Sequence, residues 1–174
     1  MKQKLETIII IVILLVIGIW IIDKIPLNKN INQRITANIY ENGVAVGQTM
    51  LVMNGEKSNY LFRKKEGFIG EFLIPYAEKT DRSDLQTYIK WNGEDNTQYI
   101  RYFYKGDIKL AEDMGLVPYL LINDSMTKFA IMLTDNTVIA TSDELYELYI
   151  KHITWHSDTT KTSIVAVNEI PKID

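Results

Sequence analysis

A chain of 174 residues and 20.1 kDa is long enough for one ordinary domain with a short appendage and too short for two full domains. Its 47% hydrophobic and 24% charged residues are those of a chain that buries a core, which excludes a collagen-like, low-complexity or disordered polymer. A net charge of -3 offers no basic excess for phosphates, so no nucleic-acid partner is expected, and the absence of cysteine removes disulfides, thiolate metal sites, thiol nucleophiles and a cysteine-borne lipid.

The chain opens with Lys2 and Lys4 ahead of an apolar run over residues 8–22 that holds only Ile, Val, Leu, Gly18 and Trp20. Taken from 5 to 25, that run rises about 31 Å as a helix, close to the ~30 Å hydrocarbon core of a bilayer. A single-pass transmembrane anchor is therefore expected, carried by residues such as Ile8, Leu15, Trp20 and Ile22, with Trp20 at an interface. A cleaved signal peptide would end in small residues, whereas Trp20, Ile21, Ile22 and Asp23 follow here. The lysines abutting the run favour an inside N-terminus, which places the large domain outside a cytoplasmic membrane.

The expected organisation is an anchor over 1–25, a linker over 26–34 that contains Pro26 and three asparagines, and one β-rich domain over 35–174. Asn42-Gly43, Asn54-Gly55 and Asn92-Gly93 each supply the positive-φ residues of tight hairpin turns. Strands are expected over 35–40, 44–52, 59–63 and 68–74, then a hairpin of 85–91 and 97–104 rich in aromatic and β-branched residues. Asp107 is read as the cap of a short helix ended by Gly115. Residues 128–133 and 138–140 read as a hairpin around Asp135 and Asn136. Thr141 and Glu144 then form a capping box that opens a helix over 143–153. A strand over 163–167 precedes a polar tail. The fold class is β-dominated α+β: after the N-terminal helix, an antiparallel-rich sandwich or partly open barrel with one or two short helices.

Chemistry is harder to locate. His152 and His156 are spaced i, i+4 with Asp158 nearby, but Thr154 and Trp155 favour an extended exit from the helix, so no metal is expected. Ser125 and Lys128 match a Ser-x-x-Lys spacing without its companion motifs, and turn chemistry accounts for them. Phosphate-binding glycine loops are absent, and no cofactor is expected. The pairs Glu94–Asp95 and Glu112–Asp113 read as solvated charge, and Arg63-Lys64-Lys65 as a hairpin tip. Tyr88, Trp91, Tyr99, Tyr102 and Tyr104 crowd one hairpin and form the candidate binding surface, with Tyr99 and Phe103 on the face opposite Tyr102 and Tyr104. The composite expectation is a membrane-anchored, non-enzymatic domain that binds a protein or an envelope component. The alternative is an envelope-polymer hydrolase or lyase that gathers carboxylates and His156 by folding.

Overall fold

The computed structural model describes the backbone of residues 2–22, 24–25, 27–60, 66–91, 97–158, 161–165 and 173. Helix α1 (Lys2–Ile22) is followed by β1 (Leu27–Glu41), β2 (Val44–Asn59), β3 (Gly67–Leu73), β4 (Leu85–Trp91), β5 (Thr97–Tyr104), β6 (Leu116–Ile122), β7 (Phe129–Leu133), β8 (Val138–Ala140), helix α2 (Asp143–His152), β9 (Thr154–Asp158) and β10 (Lys161–Val165). Strands β1 to β8 pair antiparallel with their neighbours and close on themselves as β8 meets β1, so the sheet is a closed barrel rather than a sandwich or an open one. β9 and β10 form a separate two-stranded sheet.

Along each barrel strand one row of side chains points inward, and in a barrel of eight that row fills the interior. Leu51, Met53, Phe68, Phe72, Ile89, Ile100, Tyr102, Leu120, Phe129, Ile131 and Ile139 form this inner core, and the Phe72 and Phe129 rings meet edge to face at 6.2 Å. Outside, Ala130, Met132, Val138 and Ala140 of the same wall pack on Leu145, Tyr146 and Tyr149 of α2. Strands β7 and β8 are thus buried on both faces, which explains their unbroken apolar sequence.

Several local expectations are corrected. Asn54-Gly55 is not a turn, because β2 runs through it with Gly55 opposite both Ile31 and Gly70. A Cβ on Gly55 would meet the Ile69 carbonyl and lie 2.6 Å from Gly70 Cα, so these glycines serve a close approach of two backbones rather than a positive φ. The stretch expected as a linker is strand from Leu27 onward, paired with the second half of β2. No helix follows Asp107, whose carboxylate accepts from Lys109 N in a turn. Asp113 and Gly115 then take φ of 53° and 71°, which a right-handed helix cannot hold. Strand β6 was obscured by Pro118, which sits at a register shift between Leu116 and Leu120 where no ladder bond is required. Ser142, not Thr141, caps α2 by accepting from Leu145 N, while Thr141 Oγ1 pairs with the backbone of Phe129. The last strand begins at Lys161, two residues earlier than read.

The Asn42-Gly43 turn forms as read, with φ of 50° and 84°, as do the hairpins β4–β5 and β7–β8. Asn92-Gly93, Glu94, Asp95 and Arg63-Lys64-Lys65 lie outside the described residues.

In α1 every described side chain from Ile8 to Ile22 is exposed apart from the half-exposed Gly18, so the helix is not a buried element of the barrel. Among the described residues no helix is long and apolar enough to cross a membrane. The span expected over 5–25 is therefore not shown by the fold.

Two buried tyrosines tie these layers together. Tyr102 donates to the Phe72 carbonyl at 2.9 Å inside the barrel, and Tyr149 donates to the Tyr119 carbonyl at 2.9 Å from α2. Burial pushes both phenols far above their ordinary value. Their contribution to stability is complete below the unfolded tyrosine value near 10, and above it the unfolded chain releases protons that the fold retains. Stability should therefore fall above pH 10 by about 1.4 kcal/mol per pH unit for each phenol. Urea melts between pH 9 and 11 would check this, with Tyr102→Phe making the fall in stability less steep.

Candidate functional site

Most of the residues singled out on the aromatic hairpin belong to its packing. Trp91 and Tyr102 are buried in the inner core, at 6% and 3% exposure, and Tyr104 packs against it. Tyr99 lies on the outer face with Arg101 and Phe103, as the alternation implies, and meets the Tyr119 ring edge-on at 5.3 Å with the Arg101 guanidinium 4.6 Å from its own centroid. Tyr88 is half-buried opposite Arg101. A depression of about 650 Å³ adjoins Tyr99, Arg101, Tyr102 and Leu110, whereas Tyr88, Trp91 and Tyr104 do not line it.

The histidines are not brought together as a pair. His152 is the last residue of α2, Ile153 turns extended at φ -115°, and His156 falls in β9, so no helical face carries both. Among the described residues no group of three His, Asp or Glu side chains is placed to hold a metal. Ser125 Oγ bonds Asn123 Nδ2 at 2.9 Å and Thr127 Oγ1 at 2.8 Å in a loop that Asn123 organises by accepting from Thr127 N and Lys128 N. That loop seats Met126 in the barrel end, at φ 60° and fully buried. Asp113 pairs with Lys79 at 2.7 Å on the surface rather than with Glu112.

Two features emerge that the sequence reading did not identify. The first is Lys57, 2% exposed at the barrel end where β1 begins. Its ammonium donates to the Asp124 carbonyl at 2.7 Å, pairs with Glu66 at 3.1 Å and Asp124 Oδ1 at 3.8 Å, and sits 4.4 Å from the Trp91 ring centroid. Read as one strand, β2 places Leu51, Met53, Gly55 and Lys57 on the inward row, so the period-two pattern would have revealed Lys57 had Gly55 not been taken as a turn. This arrangement latches the 123–128 loop over the barrel end.

The second is an open groove of about 1120 Å³ between β1 and α2. It exists because β1 meets β8 only through Asn38, Ile39 and Tyr40. From Leu27 to Ala37 this edge of β1 pairs with no described strand, while Gln33 Nε2 donates to the Ser125 carbonyl at 3.2 Å and Thr127 and Lys128 line the groove beside it. Ile35 and Thr36 form one wall, and Glu144, Glu147, Leu148 and Lys151 of α2 form the other. Tyr40 fixes the spacing of the walls. Its hydroxyl donates to Asp143 Oδ1 at 2.5 Å and its ring stacks on Tyr146 at 4.3 Å, pinning the first turn of α2 to the end of β1. Burial and the Asp143 carboxylate both push this phenol up, so it stays a donor at neutral pH.

Comparison with protein families, with curated proteins and with solved structures returned no match for this chain. The class that the fold defines is thus a closed eight-stranded antiparallel barrel with a helix docked on its outer wall and a groove where its first and last strands part.

Proposed function

We propose that the protein is a single-pass, membrane-anchored binding module. Residues 5–25 cross the bilayer, and the barrel stands outside the cytoplasmic membrane to engage a protein or envelope component through the β1–α2 groove. The observation that carries this reading is the contrast between an apolar inner core and, among the described residues, a strand edge that no other strand pairs, beside a helix. An inward row of large apolar side chains is the usual filling of an eight-stranded barrel. An unpaired edge offers a row of N–H and C=O groups, and strand addition at such an edge, with side chains seated against a neighbouring helix, is a recurring mode of peptide recognition. The exposed apolar surface of α1 and the Lys24 ammonium 5.1 Å from the Trp20 ring favour a membrane helix with an interfacial boundary at that end. The hydrolase or lyase alternative would need carboxylates gathered around His156, whose side chain lies outside the described residues.

Site-specific photocrosslinking in intact cells tests the groove. A benzophenone amino acid at Thr36 should give a discrete higher-mass adduct, and the same residue at Tyr88 on the aromatic hairpin should not. Adducts at Tyr88 alone, or equally at both, would reject the groove as the recognition surface.

A further inference from the structure

A second opening in the barrel wall lies between β5 and β6, and it shares no lining residue with the β1–α2 groove. The ladder joining these two strands covers only Thr97 to Tyr99 against Leu121 to Tyr119. The residue that would come next, opposite Ile100, is Pro118, which has no N–H to donate. Further along, β5 takes a different neighbour: Ala111 N donates to the Tyr102 carbonyl at 2.8 Å, and Tyr104 N donates to the Lys109 carbonyl at 3.2 Å. The chain then leaves β5 through Asp113 and Gly115, at φ of 53° and 71°, and is held off as Thr134 N donates to the Gly115 carbonyl at 3.0 Å. This detour keeps open the depression of about 650 Å³ beside Ile100 and Arg101, a volume within the usual range of ligand sites.

Its rim carries one charge of each sign that the fold leaves unspent. The Arg101 guanidinium lies 4.6 Å from the Tyr99 ring centroid and makes no ion pair among the described residues. Stacking orients its plane, and its N–H fork matches a carboxylate. Glu112 is exposed and likewise has no ion pair among the described residues, whereas its neighbour Asp113 is engaged by Lys79. Leu110, Met114, Leu116 and Pro118 supply the apolar lining.

We propose that this cleft binds short free peptides with apolar side chains. The α-carboxylate accepts from Arg101, the α-ammonium meets Glu112, an aliphatic side chain enters the lining, and the peptide backbone lies where the wall between β5 and β6 is interrupted. Glu112 disfavours a ligand that brings only negative charge and Arg101 one that brings only positive charge, so both termini must be free. The site is independent of the β1–α2 groove.

The test is isothermal titration of the full chain in detergent micelles with the tripeptide Ala-Ala-Leu, its N-acetyl form and its C-amide form. The free tripeptide should bind saturably, and each capped form should bind at least about tenfold more weakly. Arg101→Gln should weaken the free tripeptide to the same extent without further weakening the C-amide form, and Glu112→Gln should do the same with respect to the N-acetyl form. A variant that merely damaged the fold would weaken every form alike. Should Arg101→Gln fail to fold, the capped peptides decide the question on the native chain. No binding of the free tripeptide, or equal binding of all three forms, would overturn the proposal. Loss of binding in Thr36→Arg would place the peptide in the groove and overturn it too, whereas a Thr36 crosslink that persists without tripeptide binding would leave the groove standing.

Discussion

Gly70→Ala should lower the melting temperature by about 10 °C, a large effect for one added methyl group. A Cβ at Gly70 would collide with the Asn54 carbonyl, lie 2.5 Å from Gly55 Cα and 2.9 Å from the tip of the Phe68 ring. Two of these three neighbours are backbone, and Phe68 is fully buried, so none can swing aside. The strands must separate where β2 joins β3, at a cost of about 3 kcal/mol from overpacking, and a domain of this size loses about 2–4 °C per kcal/mol. Gly106→Ala is the control. It has φ of 77° and nothing within 4 Å of its added Cβ, so only the left-handed backbone strain of about 1 kcal/mol applies. A calorimetric scan of both variants decides the matter: equal shifts would mean that the β2–β3 backbones are not in close approach.

Glu66→Gln combined with Asp124→Asn should destabilise the fold by about 3–5 kcal/mol, because it strands the Lys57 ammonium at the barrel end without a carboxylate. Adding Lys57→Met to that pair should recover most of the loss. The thioether stem occupies the same volume against Trp91 and leaves no charge to solvate. Denaturant melts of the double and triple variants separate this from a general effect of disturbing the 123–128 loop, since a loop effect would not be rescued at Lys57.

These two sites also show where the sequence was legible and where it was not. Alternation and turn chemistry located the β4–β5 hairpin, the Asn42-Gly43 turn and α2, because each depends on residues adjacent in the chain. Gly55 was misread because an Asn-Gly pair that turns the chain and a glycine that admits another backbone look alike until Gly70 is known to lie opposite. Misreading it split β2 and hid Lys57. β6 was hidden by Pro118, whose missing N–H is tolerated at the register shift. The groove had no local signal at all. It arises from β1 touching β8 over only three residues, a property of barrel closure and of the Tyr40–Asp143 contact between positions 103 apart. The aromatic cluster was visible, but which of its rings turn inward depends on the barrel having an inside. Trp91 and Tyr102 are core for that reason.

The proposal that the barrel is held at a membrane and faces outward is tested most directly by a single cysteine in this cysteine-free chain. Ile108, 93% exposed at the turn after β5, is the position to replace. Intact cells expressing Ile108→Cys are treated with a membrane-impermeant maleimide, and the membrane fraction is then extracted with alkaline carbonate. Labelling before lysis, on a protein that stays with the membrane after extraction, is the expected result. Labelling only after lysis, or release by carbonate, would contradict an outward-facing domain anchored through residues 5–25.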